Sequence, residues 1–246
     1  GRIAGGDTAC GFANTAMVLA EKHYIPRIVA AVDRVASIGR SLAAMEAGAT
    51  GPDKDCGYEG PFIKAITGYP ISMEGKTAAC AHLSPVGNVA AACADLWSNE
   101  SVSNMKLLSG MAPTAYMEQL VYDTRLMNKS ISRGSTAELQ SLFVESDISY
   151  DPQAYILAPD VVIPIARAYV SAGSPLAGTV AAVSAALSEI KKGIDAGKLA
   201  LEDREKEWIP QIEDALATIP TDESAFVDEM SGEIDTSVVT LSEYGL

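Results

Sequence analysis

Residues 54–70 read KDCGYEGPFIKAITGYP. How this stretch is assigned decides the fold class. Its apolar run FIKAIT, residues 62–67, is closed by Gly68 and Pro70, which predicts a short buried strand. Upstream, residues 1–8 read as a strand end entering a glycine loop. A helical stretch with Ala16, Val18, Leu19 and Ala20 follows, and Pro26 either starts a second helix or kinks the first. There Ile28, Val29, Val32, Val35, Ala36, Ile38 and Leu42 recur at helical spacing, until residues 48–53, GATGPD, supply stop signals. Downstream, residues 86–97 are alanine-rich and helical, and residues 102–108, VSNMKLL, give a further strand. Beyond Pro113 the pattern is helical: 114–128, 136–144 with Ser135 and Glu138 as a capping box, 159–170, 176–196 and 201–219. Residues after Pro220 are acidic and poorly periodic, which predicts a mobile tail.

Strands alternating with helices predict an α/β protein with a parallel sheet and crossover helices. An open sheet and a (β/α)₈ barrel both fit this order. A barrel needs eight strands in about 250 residues. The 246-residue length suits one barrel, while only three strand candidates appear. No internal repeat is visible.

The chain is 48% apolar and 20% charged, with a formal net charge of −14. That argues for a globular protein, and against nucleic acid and anionic membrane surfaces as partners. The acid is uneven. Residues 189–246 hold 15 Asp and Glu against 5 Lys and Arg, so the C-terminal quarter sets the balance. It reads as a solvated helical surface and tail, or more sharply as a docking face for a basic partner. Two uncharged stretches, 77–94 and 168–188, contain Pro, Gly, Ser and His or Asn and read as alanine-rich packing, not membrane spans. No signal-peptide pattern follows Arg2, and a first residue that is Gly suggests a processed or trimmed chain. Four cysteines without a CxxC pair point to a reducing, cytoplasmic compartment.

Two of those cysteines stand out. Cys10, in DTACGF, lies between a glycine loop and a helix; Cys56, in KDCGYE, lies on a polar loop. Each precedes a glycine, which permits close backbone approach. In α/β folds ligands bind at such loops. Two thiolates on separate elements suit zinc, although their spacing matches no compact finger and a purely structural role also fits. Cys80 and Cys93 sit among alanines and read as small buried hydrophobes. A nucleophilic cysteine would need a base. His23 reads as a surface or packing residue, while His82, in AHLSPVGN, lies near a loop and reads as structural or as that base. Asp7, Asp53, Asp55, Glu59 and Glu74 read as solvated or capping. No GxGxxG, P-loop or serine nucleophile elbow is present.

Around these loops the sequence resembles the methanol:corrinoid methyltransferases, in their zinc-containing subunit. The matching stretches are GGDTACGFANTAMVLAEKH, KDCGYEGPFIKAITGYPISMEGKTAACAHLSPVGNVAAACADLWSNESV, LLSGMAPTAYMEQLVYDTRLMN, LFVESD and YDPQAYILAPDVV. The likeness reaches about Ile219 and leaves the acidic tail unmatched. It implies a TIM (β/α)₈ barrel with added helices, of which this chain is the C-terminal half. Residues 1–150 would then be barrel, 151–219 a packed helical extension and 220–246 an acidic tail. It implies zinc on Cys10 and Cys56, with a third ligand, a glutamate, lying further upstream than the nine residues before Cys10. It also implies a separate corrinoid protein as partner and cobalamin as cofactor, in an oligomer or heteromeric complex, and methanol as methyl donor. Hydroxide is a poor leaving group, so a Lewis acid on the methanol oxygen is the chemistry such a site needs. A related enzyme using another methyl donor and an inactive interaction fragment are the alternatives.

Overall fold

Helix termini, more than helix interiors, explain how this chain is put together. A computed structural model describes residues 11–47, 59–68, 86–93 and 112–245. Among these residues every regular element is helical. They are α1 (Gly11–Glu21), α2 (Arg27–Glu46), α3 (Gly60–Thr67), α4 (Gly87–Cys93), α5 (Ala112–Arg133) and α6 (Thr136–Ile148). Then follow α7 (Pro152–Tyr155), α8 (Pro159–Ser171), α9 (Pro175–Asp195), α10 (Asp203–Lys206), α11 (Trp208–Thr218), α12 (Glu223–Ser231) and a 3₁₀ turn (Leu241–Tyr244). The strands expected at 1–8 and 102–108 fall outside the described residues.

The strand expected over 62–67 is a helix. Pro61 occupies its first turn, where no N–H is needed, and Gly68 closes it at φ 74°, returning its N–H to the Lys64 carbonyl at 2.9 Å. Phe62 and Ile63 are fully buried, with Ile66 packed beside them. This i, i+1, i+4 face lies against α8. Other expectations shift less. Ser135 precedes α6 but forms no side-chain cap, so the predicted capping box with Glu138 is not made. Residues 201–219 divide into α10 and α11. The segment after Pro220 includes α12, where Asp222 accepts the Ala225 N–H at 2.9 Å.

The turn after α1 closes as a Schellman motif. Tyr24 N–H reaches the Leu19 carbonyl at 2.8 Å and His23 N–H the Ala20 carbonyl at 3.0 Å. His23 takes the left-handed position, at φ 59°, that Gly134 and Gly197 take in the equivalent turns after α5 and α9. A side chain there costs about 1 kcal/mol relative to glycine.

Three helices receive their N-terminal caps from carboxylates far along the chain. Glu205 accepts the N–H groups of Arg27 and Ile28, both at 3.1 Å, at the start of α2. Asp147 accepts those of Asn88 and Val89, at 2.8 and 2.9 Å, at the start of α4. Glu223 accepts Leu176 N–H at 3.0 Å at the start of α9. Each satisfies exposed donors and sets negative charge against the positive helix end.

The core lies where α2, α8 and α9 meet. Ile28, Ala31, Val35 and Ile38 pack with Ile165, Tyr169, Ala182, Val183, Ala186, Leu187 and Ile190. The uncharged stretch 168–188 is thus the α8–α9 turn and its buried helix face. Small residues let the helices approach closely, and a Cβ on Gly178 would meet the Tyr169 ring at 3.0 Å. Among the described residues no helix is long and apolar enough to cross a membrane.

Candidate functional site

Cys10 and Cys56 lie outside the described residues, as do Cys80, His82, Asp7, Asp53, Asp55 and Glu74. Their described chain neighbours converge on one helix. α1 begins at Gly11, directly after Cys10. Glu59, three residues after Cys56, leads into α3. Both α1 and α3 pack on α2.

α2 buries two faces. One is the apolar face in the core. The other is polar, with Arg34, Ser37 and Ser41 buried and Asp33 and Arg40 half-buried. The residues recur at i, i+4, i+7 and i+8, so they form one stripe. Its hydrogen bonds run to the flanking elements. Arg34 donates through Nε to Gln153 Oε1 at 3.0 Å and through Nη2 to Met17 Sδ at 3.4 Å. Arg40 Nη2 donates to Glu59 Oε1 at 3.0 Å, and Ser41 Oγ donates to the same oxygen in a short bond.

Glu59 is fully buried, contrary to the solvated or capping role expected for it. Its Oε2, and Oδ2 of Asp33, are buried with no hydrogen-bond partner among the described residues. Burial pushes the Asp33 carboxyl up to about 6; Arg34 opposes this, Glu59 adds to it and Arg40 opposes it. Two carboxylates and two guanidinium groups thus share one half-enclosed stripe. Unsatisfied buried acceptors are uncommon and costly, and both of these lie in this stripe.

Elsewhere the structure is chemically quieter. Cys93 donates its thiol to the Leu157 carbonyl at 3.3 Å. Burial pushes it up to about 12, against the pull of Lys64. It is an inert packing thiol, as its alanine surroundings suggest. His23 is an exposed turn residue. A groove of about 730 Å³ runs between α6, Pro159 and Lys198 and contains no cysteine or histidine. Among the described residues no three of His, Cys, Asp and Glu are placed to share a metal.

Sequence reasoning passed over Asp33, Arg34, Ser37, Arg40, Ser41 and Gln153. The stripe on α2 has the spacing of an ordinary solvent face, and only the packing of α1, α3 and α7 against it reveals its burial.

Three comparisons bear on this arrangement. The family model of MtaB, the methanol-cobalamin methyltransferase B subunit, matches residues 1–245. The match therefore continues through the acidic tail, beyond the limit at Ile219 expected from the sequence. A methanol–corrinoid protein co-methyltransferase of Methanosarcina barkeri (strain Fusaro / DSM 804) is 40% identical over 235 residues, which cover 93% of this chain and 50% of that protein. A chain in the crystal structure of the methanol:cobalamin methyltransferase complex MtaBC from Methanosarcina barkeri superposes with a TM-score of 0.84 at 37% identity, covering 99% of this chain and 54% of that one. The chain spans about half the length of the relatives it matches.

Proposed function

The chain belongs to the methanol-cobalamin methyltransferase B subunit family, and from that premise we propose that it takes part in moving the methyl group of methanol to a corrinoid carried by a separate protein. The observation that carries this reading is the 40% identity to a methanol–corrinoid protein co-methyltransferase, sustained over 93% of the chain. Methanol is then the substrate, and a methanol-specific corrinoid protein the partner in a heteromeric assembly. The finer fold expectation belongs to the same proposal: a TIM (β/α)₈ barrel, with residues 1–150 as barrel, 151–219 as helical extension and 220–246 as acidic tail. The likeness to a chain of the MtaBC complex supports it. A cytoplasmic location fits four cysteines without a CxxC pair.

In this reading Cys10 and Cys56 hold zinc. The donor set fits the ion, because two thiolates are soft ligands that zinc accepts readily. Cys93 is no competitor, since its thiol is engaged with Leu157 and hard to ionise. Zinc supplies Lewis acidity at the methanol oxygen, and the corrinoid supplies the nucleophile. The chain's own task is to present two thiolates in a fixed geometry. α1 and α3, which follow the two cysteines in the chain, both pack on α2. Helix packing holds such elements more precisely than loops do.

The test is zinc content and methyl transfer from methanol to cob(I)alamin, measured on the full-length protein and on its Cys10→Ser and Cys56→Ser variants. Each substitution should remove most of the zinc and slow transfer by roughly 100-fold or more. Undiminished zinc and transfer in both variants would sink the proposal. Faster transfer from a methoxy compound or a methylamine than from methanol would overturn the choice of substrate.

A further inference from the structure

We infer that one exposed face of α5 is a docking surface for an acidic amphipathic helix of a separate protein. Val121, Tyr122, Arg125, Leu126, Lys129 and Arg133 make the face, and all are exposed. Positions 125, 129 and 133 stand about one turn apart on one line of the helix, with 121, 122 and 126 beside them. The opposite side of α5 does the packing. There Asp123 and Ser130 are buried, and Met127 lies against the small cluster of Ala90, Ala91 and Phe143. The exposed residues therefore form one stripe. Among the described residues, none of Arg125, Lys129 and Arg133 makes a side-chain hydrogen bond or ion pair. Elsewhere this chain places acids within reach of its cations, as with Lys191 and Glu213 or Lys192 and Glu189. With 32 Asp and Glu against 18 Lys and Arg, an unpaired row of three cations runs against the composition.

A face that only meets water has no use for Val121, Tyr122 and Leu126 side by side. Contiguous exposed apolar groups mark interaction surfaces, and Tyr and Arg are enriched where interfaces carry their energy. The charge names the occupant. A net charge of −14 repels an acidic partner from most of the surface, so attraction at this one stripe fixes where it lands. A nucleic acid or an anionic membrane would also be drawn to the cations. Each is a broad polyanion, however, and would meet Glu138 and Glu145, which are exposed on the adjoining α6. A single helix, about 10 Å wide, fits within the stripe. Its apolar residues, spaced three and four apart, would lie over Tyr122 and Leu126, and its flanking acids over the cations. So small a patch belongs with weak, transient contacts, which bury less than about 1,200 Å² in total.

The experiment uses the full-length protein and a fluorescent synthetic helix of about 20 residues, long enough to hold its fold. Its Leu residues follow the helical period and Glu flanks them; a second peptide carries Lys in place of Glu. The acidic peptide should bind in the micromolar range and weaken about tenfold when salt is raised to 500 mM. Arg125→Glu/Lys129→Glu should lower its affinity about tenfold and flatten the salt dependence, and Leu126→Ala should speed its release. Lys191→Glu/Lys192→Glu makes the same change in net charge elsewhere and should leave binding unchanged. All these side chains are exposed, so the variants should melt with the parent. Equal loss in the Lys191→Glu/Lys192→Glu control overturns the inference, as does equal or tighter binding of the Lys peptide. Tighter binding of single-stranded RNA or of phosphatidylserine vesicles, lost in Arg125→Glu/Lys129→Glu, also overturns it and reassigns the face. If Leu126→Cys takes up no more maleimide than the parent, the rest of the polypeptide covers the face, and the inference falls.

Discussion

Asp33 shows how one residue on α2 couples its surroundings to pH. Its folded-state carboxyl is raised from 3.8 to about 6, chiefly by burial. The folded protein therefore binds this proton more tightly than the unfolded chain does. Asp33 favours folding when protonated, and that contribution is lost as pH rises through the window from about 4 to about 6. Above that window the ionised, half-buried group is a cost. Asp33→Asn should remove this slope. Urea melts should show the variant about 1 kcal/mol more stable than the parent at pH 8, a figure discounted for solvent screening, and near parity at pH 4. An unchanged difference between the two pH values would show that another group carries the slope. The residue scale also shows what a sequence can reveal. Cys93 was readable as a packing thiol because alanines surround it. Glu59 was not readable as buried, because nothing local distinguishes it from Asp53, Asp55 or Glu74. Its burial comes from Arg40 and Ser41, which arrive from α2 some twenty positions earlier.

At the scale of elements, the run FIKAIT carries the same lesson. A six-residue, mostly apolar run between turn signals cannot separate a strand from a short buried helix by periodicity. Pro61 in the first turn and Gly68 at the end were the better evidence, since that pairing marks a helix. α2, α8 and α9 were legible because each runs long enough for its apolar period to show and is bounded by Pro or Gly. The carboxylate caps were invisible: Glu205, Asp147 and Glu223 act on helix starts 47 to 178 residues away. Close packing was equally hidden. A Cβ on Gly193 of α9 would fall on the Tyr155 ring of α7. Gly193→Ala should improve helix propensity by up to about 1 kcal/mol yet destabilise the protein by a net 1–3 kcal/mol, because the ring cannot retreat from the core without strain. Thermal melts of the variant and of Gly193→Ala/Tyr155→Leu decide this. The second change should recover part of the loss if the clash is its cause.

Among the described residues, the main hydrophobic core draws on α2 near the start and on α8, α9 and α11 in the second half, and a smaller cluster of Ala90, Ala91 and Phe143 stands apart from it. The acidity is arranged around that core in two ways. Glu205 is drawn inside as a cap, whereas most of the C-terminal acids stay in solvent. α12 belongs to the second group. None of its residues is buried, and its hydrogen bond to the body runs from Leu176 N–H to Glu223. Removing residues 221–246 takes away seven acids and no base, which brings the net charge from −14 to −7. The lost cap costs about 1 kcal/mol, as helix caps do. The relief of self-repulsion works in the opposite direction and is largest at low salt. The two effects nearly cancel, so the truncated protein should unfold within about 1 kcal/mol of the parent in 20 mM salt. In 500 mM salt, where repulsion is screened and the uncharged part of the cap remains, it should be slightly the less stable of the two. Denaturant melts at both ionic strengths test this directly. A loss of several kcal/mol on truncation would mean that the acidic segment stabilises the body through more than the Glu223 cap, and would remove it from the class of solvated surface to which its composition assigns it.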